Sequence, residues 1–309
     1  MLQHAASKVE SLGSRLWRER YRLNPLHRRH SAAAENHRPT LAWRLGRLLI
    51  ASSKDHAFFD RCCISWLMHA APQKLRAPLA LRLLSLSPHY WVYQWTNIYP
   101  AGCTRREILD AEYRRNAASR KEICDKVLRR FLQPDMTVLD FGCGPGFLAK
   151  EASAHVSCVI ASDVSHGVIA CAEQINGAEN LRYVTNGLLT LENVADSSID
   201  LAYSFAVFQH LTKDQSRAFF REFARVLKPG ALGVCHTILK EPTEPRAVDP
   251  SAGGWLARRV NLRMVYFTPA EITDELSNAG LRDVNITPIS SLADIRDDIG
   301  HEQLVIFRR

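Results

Sequence analysis

The nine residues Val138-Leu139-Asp140-Phe141-Gly142-Cys143-Gly144-Pro145-Gly146 constrain the fold of this chain more than any other stretch. A short apolar run, Met136 to Phe141, leads into a turn with glycine at every second position, and Phe147 to Ala154 then reads as a helix. Glycine is needed where the backbone takes positive φ or where another group approaches closely. A buried strand, a glycine turn and a helix in that order open an α/β sheet, and the carboxyl end of such a strand is where these sheets bind nucleotides. A dinucleotide fingerprint requires a third glycine at position 147, which is Phe.

The pattern downstream repeats strand and helix. Ser157 to Ser162, Leu181 to Val184, Ile199 to Ser204 and Ala231 to His236 read as strands. Ser165 to Ile175 reads as a helix with Ser165 as its N-cap. Asp214 to Leu227 carries Phe219, Phe220, Phe223, Val226 and Leu227 on one stripe, and Lys228-Pro229-Gly230 ends it. This alternation predicts a parallel sheet with helices on both faces. Thr268 and Pro269 then start a helix that Gly280 stops. Arg282 to Ile289 and Gln303 to Phe307 read as an antiparallel pair at the sheet edge with no helix between them. The expected fold class is α/β, with a Rossmann-like seven-stranded, mostly parallel sheet, an antiparallel last strand and an N-terminal helical extension.

That extension, residues 1–105, is set apart by charge. Residues 1–135 hold 24 Lys/Arg against 11 Asp/Glu, and the remainder holds 16 against 21. A basic half raises a nucleic-acid or membrane partner, or a solvated arginine-rich helical segment. Leu2 to Trp17, Leu41 to Ile50, Ile64 to Ala71 and Leu75 to Leu86 have helical patterns, and six prolines between Pro25 and Pro100 predict short helices. Tyr90, Trp91, Tyr93, Trp95 and Tyr99 form an aromatic cluster that either packs the extension onto its neighbour or lines an apolar pocket. The longest charge-free stretch, Leu83 to Thr104, holds two prolines and several polar residues, so no membrane span is expected. The first residues lack the apolar core of a secretory signal. Eight scattered cysteines without a CxxC pair point to reduced thiols and a cytoplasmic setting, with neither a disulfide framework nor a metal site.

The motif set resembles that of the class I S-adenosylmethionine-dependent methyltransferases. The glycines at 142, 144 and 146, with an acid two residues before the first, are similar to the family's motif I. Asp163 at the end of the second strand, the Ser198 to Ser204 strand, Val207 to Leu211 after it, Arg225 to Leu232, and the segments Tyr266 to Ile272 and Ala279 to Leu281 follow in the family's order. The resemblance covers about residues 105–309. It implies a methyltransferase domain over 106–309, with an insertion at 240–267 long enough to act as a lid.

The resemblance also implies residue roles, with S-adenosyl-L-methionine as cofactor. Gly142, Cys143, Gly144 and Gly146 would let the backbone approach it, and Asp140 would contact the methionine amino group. Asp163 and Val164 would hold the ribose, and Asn186 and Gly187 would lie at the adenine. Phe205 and Ala206 would face the methionine end, and Tyr113 with Arg114 would close over the cofactor. His210 is the candidate general base, or else a residue that caps or orients the following helix, and His236 is a second candidate base or a buried strand residue. The leading expectation is methyl transfer to a small-molecule or lipid-like acceptor at O, N or C, with peripheral membrane contact through the basic segment. The alternatives are a nucleic-acid methyltransferase, although Ser204-Phe205-Ala206-Val207 stands where an Asn/Asp-Pro-Pro-Tyr/Phe motif would, and a non-catalytic module docking on a membrane or partner.

Overall fold

In the computed structural model, residues 64–84, 104–240, 265–295 and 302–309 are described. The expected helices before residue 64, the aromatic cluster at 90–99, Cys62, Cys63 and Cys103, and most of the 240–267 insertion lie outside the described residues.

The chain enters through α1 (Ser65–Ala70), α2 (Gln73–Leu84) and the long α3 (Arg105–Lys126). It continues through β1 (Thr137–Phe141), α4 (Phe147–Ser153), β2 (Cys158–Asp163), α5 (His166–Ile175), β3 (Leu181–Thr185) and β4 (Ile199–Ser204). α6 (Lys213–Val226), β5 (Leu227–Thr237), α7 (Pro269–Asn278), β6 (Arg282–Pro288), the one-turn α8 (Ile289–Leu292) and β7 (Gln303–Arg308) complete it. The sheet order is β3-β2-β1-β4-β5-β7-β6. Pairs from β3 to β5 are parallel, and β7 runs antiparallel between β5 and β6. The seven-stranded, mostly parallel sheet is therefore present.

Alternation along β1 divides the core. Leu139 and Phe141 enter the cluster under α6 and α7, where the Phe141 ring meets those of Phe219 and Phe223 with centroids 4.4 and 5.4 Å apart. Val138 faces the other cluster, under α3 and α4, with Val159, Leu201, Tyr203 and Val234. Burying the phenylalanine stripe of α6 thus turns Phe141 inward on one side and leaves Asp140 on the other. Asp140, Tyr203 and Ala161 are register partners across β1, β4 and β2.

Helix ends follow local chemistry. Thr104 with Glu107, Thr212 with Gln215 and Thr268 with Glu271 each close a capping box, and Ser165 caps α5 through the Val168 amide. Three expectations are corrected. β5 starts at Leu227, because Lys228-Pro229-Gly230 forms a bulge: Ile199 pairs with Leu227, Leu201 already pairs with Leu232, and Gly230 has φ +79°. Pro78 lies inside the 12-residue α2, where the burial of Ala80 and Leu84 against Val168 and Cys171 of α5 outweighs one missing backbone donor. A single turn, α8, also stands between β6 and β7 where no helix was expected.

Candidate functional site

The motif residues gather at the carboxyl ends of β1, β2, β3 and β4, where the strand order reverses between β1 and β4. The amides of Gly142 and Cys143 both donate to Ser162 O, at 2.7 and 2.9 Å. Asp163 Oδ2 accepts the Gly144 amide and Oδ1 the Ser165 amide, each at 3.0 Å. Three consecutive amides of the glycine turn are therefore tied to the end of β2. Val164, half-buried, follows it.

Gly142, Gly144 and Gly146 all have positive φ, at 73°, 52° and 79°. A Cβ on Gly142 would run into Val207, and one on Gly146 into the Tyr183 hydroxyl. A Cβ on Gly144 would meet nothing within 4 Å. The outer two glycines answer to the protein's own packing, and the middle one faces open space. Tyr183 Oη donates to Asn176 O at 3.0 Å, and Asn176 Nδ2 donates to Pro145 O at 2.8 Å, which braces the far side of the turn. Burial lifts the Cys143 thiol well above its ordinary pKa, which removes it as a thiolate nucleophile.

Asp140 is buried, and burial pushes its carboxyl up to about 8. The Tyr203 hydroxyl beside it pulls the other way, Asp163 raises it further, and the Arg120 cation lowers it. Neither Asp140 Oδ2 nor Tyr203 Oη completes a well-formed hydrogen bond among the described residues. Arg120, on α3, escaped the reading of the sequence, because only the packing of α3 against α4 brings it toward β1.

Ser162 Oγ donates to Asn186 Oδ1 at 2.7 Å, Asn186 Nδ2 donates to Gly187 O, and the Gly187 amide donates to Glu192 Oε2. These bonds fix the turn after β3. After β4, Phe205 and Ala206 are half-buried, and Ala206 holds the left-handed region with φ 60°. The Ala206 amide donates to His236 Nδ1 at 3.0 Å, and His236 Nε2 contacts Glu302 Oε2. Nδ1 is taken by the Ala206 amide, and Nε2 lies against the Glu302 carboxylate without a well-formed hydrogen bond, which fits the buried strand role for His236. His210 lies half-buried on the 3-10 turn Phe208–His210, and the capping of α6 falls to Thr212. Tyr113 is held in packing: its hydroxyl donates to Ile175 O and Asn176 Oδ1 at 3.1 and 3.0 Å, and its ring lies 5.1 Å from that of Phe147. Ser204 Oγ, Gln209 Oε1 and Thr237 Oγ1, at the same end of the sheet, are buried without a hydrogen-bond partner among the described residues.

Residues 138–230 match a family model described as a methyltransferase domain. The chain is 27% identical over 155 residues to a ubiquinone biosynthesis O-methyltransferase of Ruegeria pomeroyi, covering 48% of this chain and 61% of that protein. It is 36% identical over 108 residues to a malonyl-[acyl-carrier protein] O-methyltransferase of Hahella chejuensis, covering 34% and 37%. A solved S-adenosylmethionine-dependent methyltransferase from Mesorhizobium loti superposes with a TM-score of 0.49 at 19% identity, covering 62% of this chain and 100% of that one. The chain spans less than two thirds of either curated relative. The match identifies residues 138–230, which carry β1 to β4 of the seven-stranded sheet and the glycine turn after β1, as a methyltransferase domain.

Proposed function

We propose that the chain transfers a methyl group from S-adenosylmethionine to a small-molecule or lipid-like acceptor. The observation that carries this reading is the glycine turn with open space over Gly144, tied through its amide to the Asp163 carboxylate at the end of β2 and lying beside the buried Asp140. S-adenosylmethionine, when bound, supplies a sulfonium-activated methyl group. Its amino-acid end carries one ammonium and one carboxylate, which suit Asp140 and Arg120 respectively. Asp163 would accept from the ribose hydroxyls, Val164 would line the sugar, and Asn186 and Gly187 would border the adenine. The backbone of Phe205 and Ala206 would support the methionine end, with Gly142, Cys143, Gly144 and Gly146 giving close approach. The protein's remaining work is to align the acceptor and exclude water.

His210 is the residue we assign as general base for a hydroxyl acceptor. The unpartnered Ser204, Gln209 and Thr237 side chains supply polar groups at the acceptor end. An O-methyltransferase name on both curated relatives described above supports oxygen as the acceptor atom. The charge excess before residue 136 supports contact of that segment with an anionic acceptor or lipid surface.

Incubation of the full chain with methyl-labelled S-adenosylmethionine and fractionated small-molecule, lipid and nucleic-acid extracts tests this. The reading requires label in a small-molecule or lipid product, lost with Asp163→Ala. Label confined to the nucleic-acid fraction would overturn the acceptor class.

A further inference from the structure

His236 sits on β5, opposite Leu304 of β7, and Glu302 lies in the bend just before β7. His236 is buried, and its Nε2 lies in ion-pair contact with Glu302 Oε2, both atoms shut off from solvent and neither completing a well-formed hydrogen bond among the described residues. On the other side of the ring, Nδ1 accepts the Ala206 amide at 3.0 Å. The Phe205 ring lies parallel to the imidazole, 5° apart in plane with centroids at 5.8 Å. An imidazole that accepts through Nδ1 must, when neutral, carry its proton on Nε2. A carboxylate in contact with Nε2 is the partner that selects this tautomer.

The amide so held belongs to a strained residue. Ala206 occupies the left-handed region, which a residue with a Cβ enters at a cost of roughly 1–2 kcal/mol. Its neighbour Val207 is the side chain against which Gly142 of the glycine turn is closed. The contacts therefore run from Glu302 through His236 to Ala206, and from Val207 to the motif I turn.

We propose that Glu302 and His236 are positioning residues for the methyl-donor site: the carboxylate sets the imidazole tautomer, and the imidazole pins the left-handed Phe205-Ala206 turn that supports the methionine end of the cofactor. This rests on the cofactor reading given above. It extends the site to His236 on β5 and Glu302 just before β7. Asn at position 236 presents an acceptor oxygen where Nδ1 stands, whereas Leu presents none. The proposal therefore separates acceptor loss from side-chain loss.

The test is calorimetric titration of the full chain with S-adenosylhomocysteine, in wild type, His236→Leu, His236→Asn and Glu302→Gln, alongside nitrogen-15 NMR of the His236 ring. The expected result is affinity weakened about 10-fold or more in His236→Leu, as for a buried amide left without an acceptor, and within about 3-fold of wild type in His236→Asn. The wild-type ring is expected as the Nε2–H tautomer, and Glu302→Gln as a mixture with an intermediate affinity. Wild-type affinity in His236→Leu, or equal losses in Leu and Asn, would overturn the proposal. If His236→Leu does not fold, the Glu302→Gln tautomer and affinity decide: an unchanged ring signature overturns it. Absence of binding by the wild type overturns the cofactor reading and this proposal with it, whereas wild-type binding with unaffected variants overturns the proposal alone.

Discussion

The Asp163 carboxylate accepts the amide of Gly144 through one oxygen and that of Ser165 through the other, so one side chain joins the glycine turn to the cap of α5. Asp163→Ala leaves both amides without an acceptor. Unsatisfied buried donors cost about 1–3 kcal/mol, and a domain of this size loses roughly 2–4 °C of Tm per kcal/mol. Thermal unfolding should therefore move down by several degrees, and S-adenosylmethionine affinity should fall at least about 10-fold. A variant with lowered Tm but intact affinity would confine Asp163 to a structural role.

The contact between Gly142 and Val207 makes a coupled prediction. Gly142→Ala places a Cβ on Val207 and forces a side chain to φ +73°. Val207→Ala removes the clash and leaves the backbone strain. In denaturant unfolding, the double variant should be less destabilised than the sum of the two singles by at least about 0.5 kcal/mol, within the range known for residues in contact. Strict additivity would show that the two loops do not meet.

Asp140 predicts an unusual pH dependence. Burial raises its carboxyl from 3.8 to about 8. Between these values the unfolded chain has released the proton and the folded chain keeps it. Asp140 therefore makes stability fall as pH rises from 4 to 8, by up to about 1.4 kcal/mol per pH unit. Asp140→Asn should remove this slope and be more stable than wild type near pH 8. In the wild type, affinity for S-adenosylmethionine should increase as pH rises toward 8, because the ammonium end requires the ionised carboxylate. Calorimetry in buffers of different ionisation enthalpy would show the released proton; no proton linkage would contradict the assignment.

Much of this arrangement was legible in the sequence because local chemistry and global packing agree. The phenylalanine stripe of α6, the caps at Ser165 and Thr268, and the glycine turn each name their element. The bulge at the start of β5 was hidden because Lys228-Pro229-Gly230 is ordinary turn chemistry, and only pairing with Ile199 makes Leu227 part of a strand. Pro78 misled for the same reason: its local cost is visible in sequence, while the α5 surface that offsets it is not. Arg120 and Glu302 were missed because their neighbours, Asp140 and His236, are distant in sequence. His236 stayed open between a base and a buried strand residue because nothing in a sequence states which atoms surround each nitrogen of a ring.

The central claim is that the space over Gly144 belongs to S-adenosylmethionine. A Cβ on Gly144 meets no described protein atom within 4 Å, so Gly144→Asp should fold with a Tm within a few degrees of wild type, its strain being roughly 1–2 kcal/mol. Calorimetric titration of the two proteins with S-adenosylmethionine should give one-site binding for the wild type and none for Gly144→Asp. Undiminished binding by the folded Gly144→Asp chain, or none by the wild type, would contradict the account.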